Sequence, residues 1–192
     1  MFSLSKTKFE QKIKSGEDFI IYKKVKNFNN DPHKSFINIV EKNKYSFIYE
    51  SVEGGINRGR YTICGFDPLI ILKINNKKAN LYKKKKNKLN QVKHNNTDPF
   101  KSLENLISNL KIRIDNSLPP MSSGVFGYLG YEAINYIEKI SRNKKKDILN
   151  LPDCLLFYPK NLFIYDNHEK ELFIIKAFIK GTYNKTVDNY SN

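Results

Sequence analysis

The sequence predicts an α+β fold: mixed, largely antiparallel sheets with three or four packed helices. Three observations carry that expectation. Apolar segments of strand length follow one another across turn residues, as hairpins and meanders do. Helical spacing is confined to a few stretches, each opened or closed by a recognisable cap. Strand and helix do not alternate in the repeated strand–helix–strand units that a doubly wound parallel sheet requires. The strands total about eight to ten on this reading.

The elements follow in order. Residues 5–14 form a short helix, because Phe9 and Ile13 stand four apart on one face and Gly16 ends it. Residues 19–22 are an apolar run ahead of lysines, most simply a strand. Asp31-Pro32 opens a second helix, with Asp as N-cap and Pro in the first turn. Phe36, Ile37, Ile39 and Val40 are its apolar stripe, and Lys42 and Lys44 close it where positive charge suits a helix carboxyl end. Residues 45–49, 60–66 and 69–74 read as strands, and 79–82 and 88–93 as shorter, more exposed ones. The lysines between the last two suit a solvated hairpin turn, and lysine along an edge discourages sheet-to-sheet aggregation. Asp98-Pro99 opens a third helix with the face Leu103, Leu106, Ile107 and Leu110, broken by Ser117-Leu118-Pro119-Pro120. Residues 124–131 are a glycine-punctuated aromatic strand feeding a helical stretch over 132–140 and a lysine-rich loop at 143–147. Strands at 154–158 and 162–166 lead to the turn Asn167-His168-Glu169-Lys170 and a last strand over 171–179. The tail, 181–192, has no clear apolar register. With no repeat and no internal boundary, residues 1–192 read as one domain.

Composition limits the function classes. The 192 residues include 13 Phe and 12 Tyr, enough large apolar side chains for a core without staples. Cys64 and Cys154 are the only cysteines and lie far apart, which argues for a reducing compartment over a disulfide framework. The first residues lack the apolar stretch of a signal peptide, and no run approaches the roughly 20 apolar residues of a membrane span. A soluble, cytoplasmic protein without a membrane partner is expected. The net charge of +15 invites a nucleic-acid partner, but the positive residues are mostly Lys in Lys/Asn-rich runs at 83–88 and 144–146. A nucleic-acid groove calls for Arg beside exposed aromatics, so these runs read as solvated loops and edges, with no nucleic acid as partner. His33, His94 and His168 stand in separate polar segments, with no zinc spacing, no phosphate loop and no nucleophile elbow. No catalytic residue, metal ligand or cofactor site is expected within this chain.

Two segments remain. In the first, Glu50 and Ser51 end a strand, a Gly54-Gly55 loop follows, and Gly59-Arg60-Tyr61 opens the next strand. The carboxylate and hydroxyl suit an amine or amide ligand. They equally suit a capped turn whose side chains bond their own backbone. In the second, Gly124, Gly127 and Gly130 recur at spacing three among aromatics, which suggests close backbone packing under large rings.

Taken together, these segments resemble anthranilate synthase component I, of the chorismate-utilising enzymes. Glu50-Ser51-Val52-Glu53-Gly54-Gly55 with Gly59-Arg60-Tyr61-Thr62, Gly65 and Asp67-Pro68 resembles that family's amino-terminal block. Leu118-Pro119-Pro120 with Ser123-Gly124 and Gly127-Tyr128-Leu129-Gly130-Tyr131-Glu132 resembles a second block, and Pro152-Asp153 with the hairpin through Tyr165-Asp166 a third. The likeness spans residues 7–179. It implies an amino-terminal, tryptophan-sensing domain that stops before the chorismate-binding catalytic part. It also implies a full-length lyase that converts chorismate and ammonia to anthranilate and pyruvate, with Mg²⁺ held by the absent part and ammonia supplied by a glutamine amidotransferase subunit. By the same resemblance Ser51, with its neighbour Glu50, belongs to the L-tryptophan feedback site, half of which lies in the absent part. Weak or no tryptophan binding by the chain alone is therefore expected, as is an exposed apolar patch. Members of the family often have Leu-Leu-Glu-Ser where this chain has Ile48-Tyr49-Glu50-Ser51. The related aminodeoxychorismate synthase component and a stand-alone basic binding module are the alternatives.

Overall fold

The computed structural model describes residues 2–53, 57–93, 98–138 and 148–183, with residues 52, 53, 57 and 58 described by their backbone. The Gly54-Gly55 loop, the 143–147 loop, the last two residues of the 132–140 stretch and most of the tail lie outside the described residues.

The helices form where their caps said they would. Helix α1 (Lys6–Ser15) starts at Ser5, whose side chain accepts from the Lys8 N–H, and ends at Gly16 in the left-handed conformation. It buries Phe9 and Ile13. Helices α2 (Pro32–Lys42) and α3 (Pro99–Asn109) start alike: Asp31 and Asp98 each accept two backbone N–H bonds, and a proline sits in the first turn. On α2, Phe36 is buried and Ile37 faces out. On α3, Leu106 is buried with Leu103 and Leu110 beside it, while Ile107 is 52% exposed and leaves the face predicted for it. Ile107 lies on the flank of that stripe, about 40° of helix from Leu103 but about 100° from the buried Leu106. The stretch after 130 is a 3-10 helix, Tyr131–Tyr136, rather than the longer helical segment expected.

Eight strands form one antiparallel, strongly curled sheet: β1 (Phe19–Val25), β2 (Ser46–Glu53), β3 (Asn57–Asn75), β4 (Lys78–Lys85), β5 (Lys88–Val92), β6 (Phe126–Leu129), β7 (Cys154–Asp166) and β8 (Glu171–Phe178). The order is β1-β8-β7-β3-β4-β5, with β2 on β3 and β6 on β7. Here the structure corrects the reading of the sequence. Residues 60–66 and 69–74, expected as two strands, are halves of the 19-residue β3, and 154–158 and 162–166 are halves of β7. The apparent break at Asp67-Pro68 is a bulge, with Asp67 at φ 58° and a register shift between Pro68 and Ile70. Pro68 lies opposite Pro159 of β7. At this level both strands exchange outer partners: β3 leaves β2 after Phe66 and meets β4 at Ile70, while β7 leaves β6 after Phe157 and meets β8 at Asn161. A proline lacks the N–H that an outer neighbour would need, so the gap between partners is where a long central strand tolerates one.

The turns β3–β4 and β4–β5 have two residues each, Asn76-Lys77 and Lys86-Asn87, all with positive φ as tight hairpins of matching twist require. The second places Lys83, Lys84 and Lys85 within β4 rather than in the solvated turn expected for them. The main core gathers Ile63, Ile70, Leu72, Phe157, Leu162, Ile164 and Ile175. On the outer face α1 covers Phe19, Ile21 and Phe178, and α2 covers Cys64, Tyr165 and Leu172. Strand β8 is thus buried on both sides, which explains its nearly unbroken apolar run.

Candidate functional site

The two segments singled out in the sequence meet at one end of the sheet. Strands β2 and β3 pair in step from Ser46↔Phe66 to Glu50↔Thr62, and the next pair is Val52↔Arg58. Between those pairs β2 has one residue, Ser51, and β3 has three: Gly59, Arg60 and Tyr61. The Glu50-Ser51 and Gly59-Arg60-Tyr61 motifs are therefore the two sides of one bulge. Gly59 is there because Ser51 presses on it: a Cβ at residue 59 would stand 2.1 Å from Ser51 Oγ. The exposed Ser51 hydroxyl donates to the Tyr61 carbonyl over a long 3.4 Å. Glu50 is half-buried, and strand alternation puts it with Ile48 on the α2 side, away from Ser51. The adjacent pair does not present both side chains to one ligand from the same face.

Residues that the sequence placed only in a distant hairpin hold the bulge in place. The Asn167 amide donates to the carbonyls of Gly59 at 2.8 Å and Arg60 at 3.2 Å, and the Asn167 N–H donates to Arg60 O at 2.7 Å. Asp166 accepts from Arg60 Nε at 3.1 Å and from the backbone N–H groups of His168 and Glu169 at 3.0 and 3.1 Å. Burial pushes the Asp166 carboxyl upward, but the Glu169, Arg60 and His168 hydrogen bonds outweigh it and hold the group below its usual value. Arg60, its guanidinium 5.1 Å from the Tyr61 ring centre, thereby ties the bulge to the β7–β8 turn. Asp-Asn at the head of a four-residue turn was the available signal, since both side chains favour bonds to nearby backbone.

From the other side the bulge is joined to β6. Phe47 lies over Gly65, where a Cβ would come within 2.4 Å of the ring, and stacks on Phe126 with centroids 4.7 Å apart. Tyr49 packs beside Phe47 on this face, and its hydroxyl donates to Gly127 O at 3.0 Å. The glycine segment differs from expectation in detail. Gly127 has φ +146°, and a Cβ there would sit 1.9 Å from Leu155 O. Gly130 donates its N–H to Asp153 O at 2.8 Å. Both press against the backbone of β7 or its lead-in rather than under rings. Gly124 has nothing within 4 Å of a built Cβ, so close packing does not explain it. The ring-covered glycine is Gly65.

Beyond β6 the chain turns outward. Leu129, Tyr131, Ile137, Ile148, Leu149 and Leu151 are all more than half exposed, Tyr131 at 86% and Ile148 at 85%. Six large apolar side chains on residues 129–137 and 148–151 exceed the scatter of single exposed apolar residues normal on a surface. Among the described residues, no three of His, Cys, Asp and Glu come together as a metal site, and no helix is long and apolar enough to cross a membrane.

No protein-family model matches the chain. Curated relatives do. The chain is 28% identical over 167 residues to anthranilate synthase component 1 of Cereibacter sphaeroides, covering 87% of this chain and 33% of that protein. Against the Acinetobacter calcoaceticus protein of the same name it is 29% identical over 175 residues, covering 89% and 35%. A probable anthranilate synthase component 1 of Schizosaccharomyces pombe is 30% identical over 144 residues, covering 75% and 25%. The chain thus spans a quarter to about a third of the length of these relatives. Among solved structures, anthranilate synthase component I from Streptococcus pneumoniae aligns over 83% of this chain and 32% of its own, with TM-score 0.51 and 18% identity, a likeness of fold.

Proposed function

Given a chain related at family level to anthranilate synthase component I, we propose that it acts as the amino-terminal, ligand-sensing portion of an enzyme that makes anthranilate and pyruvate from chorismate and ammonia. The observation that carries the reading is the junction at Tyr49. It joins the Ser51 bulge to Gly127, and β6 continues from there into the exposed apolar stretch. A feedback ligand inhibits only by favouring one arrangement of two parts over another. A ligand-facing serine linked through Tyr49, two residues before it, to a strand that leads to exposed apolar side chains is the construction such a device needs.

In this reading Ser51 contacts L-tryptophan through its exposed hydroxyl, and Glu50 supports β2 from the α2 side. Gly59, Arg60 and Tyr61 set the bulge's shape. The catalytic residues, the Mg²⁺ ligands and the contact with a glutamine amidotransferase subunit belong to polypeptide beyond this chain.

The test uses the longest product of the gene that encodes the chain. It should form anthranilate, read by fluorescence, from chorismate and ammonium with Mg²⁺, while residues 1–192 alone form none. Tryptophan should inhibit it, and Ser51→Ala should raise the inhibitory concentration tenfold or more with kcat unchanged. Tryptophan should bind residues 1–192 weakly or not at all. An aminodeoxychorismate product, or no reaction at all, would overturn the proposal. Unaltered inhibition in the Ser51→Ala variant would remove Ser51 from the site.

A further inference from the structure

We propose that the recess beside the partner-exchange point of β3 and β7 binds a compact, multiply charged phosphate. This inference does not depend on the function proposed above. It starts from Lys84, which reads as solvated in the sequence and is not. Lys84, within β4, keeps only 12% of its side chain exposed and forms an ion pair with Asp67, the left-handed residue of the β3 bulge. Lys160 of β7, 28% exposed, holds its ammonium 4.0 Å from the other oxygen of the same carboxylate. Lys176 of β8 is close enough to feel both Lys160 and Asp67, and burial and Lys160 together push its pKa below the ordinary lysine value. Ammonium groups from two strands thus meet at a single carboxylate.

A cavity of about 180 Å³ opens there, lined by Lys84, Lys86 and Lys160 with the apolar walls Leu69 and Phe178. It adjoins a wider recess that Lys85, Lys86 and Lys88 line from the β4–β5 hairpin. Three lysines thus line the inner cavity, two of them beside Asp67. Lys84 is largely enclosed, so charge here is screened less than at an open surface and an entering anion is held more strongly. Lysine acts toward phosphate as a point charge, and several converging lysines suit a small group with charge on every side. A nucleic-acid strand asks instead for a long groove with free aromatic faces. Tyr183 is not such a face: its ring packs on Phe19 and Phe178, and its hydroxyl donates to Glu17 O.

The probe is sodium pyrophosphate, titrated into residues 1–192 at constant ionic strength and followed by calorimetry and by thermal melting. Saturable one-site binding is expected. Lys86→Gln with Lys160→Gln should weaken it at least tenfold. Asp67→Asn should strengthen it severalfold by removing the competing carboxylate, and asparagine tolerates the positive φ. Lys101→Gln on α3 should change nothing, and circular dichroism should report each variant folded. A nucleoside diphosphate displaced by pyrophosphate would extend the same chemistry to a nucleotide's phosphates. The proposal fails if stabilisation tracks ionic strength without saturating, or if Lys101→Gln weakens binding as much as Lys160→Gln. It also fails if a single-stranded oligonucleotide binds where pyrophosphate does not.

Discussion

Gly59 and Gly127 both sit where another group comes too close for a side chain, yet the groups differ. At Gly59 the intruder is the Ser51 side chain, across a bulge of β2 and β3. At Gly127 it is the Leu155 carbonyl, part of the β7 backbone, and the residue also needs φ +146°. A side chain can be trimmed by one substitution. A central strand, paired on both sides, cannot be moved by one. The bulge is therefore an adjustable feature. The glycine segment is a fixed mount, and through Tyr49 the adjustable region rests on the fixed one.

The largest effect should come from the mount. Gly127→Ala combines a backbone clash with a conformation that alanine rarely adopts, and should cost about 3 kcal/mol or more. Urea unfolding measures this, with Gly124→Ala as the baseline because nothing stands within 4 Å of its Cβ. A loss at Gly127 no greater than at Gly124 would mean that β6 can shift freely, and the contrast between the regions would collapse.

At the bulge, Gly59→Ala should cost about 1–3 kcal/mol, in the range of overpacking. Ser51→Gly should return much of it, since the nearest atoms it meets are Ser51 Oγ and Cβ at 2.1 and 2.7 Å. The double-mutant cycle should show coupling of about 1 kcal/mol or more. No coupling would mean that the Ser51 backbone, 3.1 Å away, is the true obstacle, making the bulge as rigid as the glycine segment.

The two regions also differ in how far the sequence disclosed them. Caps were legible because Ser5, Asp31 and Asp98 act on N–H groups two or three residues away. The β7–β8 hairpin was legible because its turn and both flanks are contiguous. Local signals misled where the deciding fact was distant. Asp67-Pro68 and Pro159 read as breaks, since nothing near them tells that β3 and β7 change outer neighbours at that level. Lys84 read as solvated because Asp67, its partner, is seventeen residues away. Glu50-Ser51 and Gly59-Arg60-Tyr61 were both noticed, the first as a candidate site. That they face each other depends on a register shift no periodicity shows, and Asn167 and Asp166, which fix it, come from the far end of the chain.

Those last two residues give the smallest of the expected effects and the finest probe of the bulge. Asp166 ionises more readily folded than unfolded, because the Glu169, Arg60 and His168 bonds prevail over its burial. Its contribution is therefore fully present above the unfolded value of about 3.9 and is lost as pH falls through the lower folded value. Asp166→Asn keeps an acceptor but no charge, and should cost about 1 kcal/mol near neutral pH. The gap between wild type and variant should narrow as pH drops below about 4. A gap constant down to pH 3 would mean that the carboxylate acts through its shape alone. The bulge would then be held chiefly by Asn167, whose amide reaches the Gly59 and Arg60 carbonyls directly.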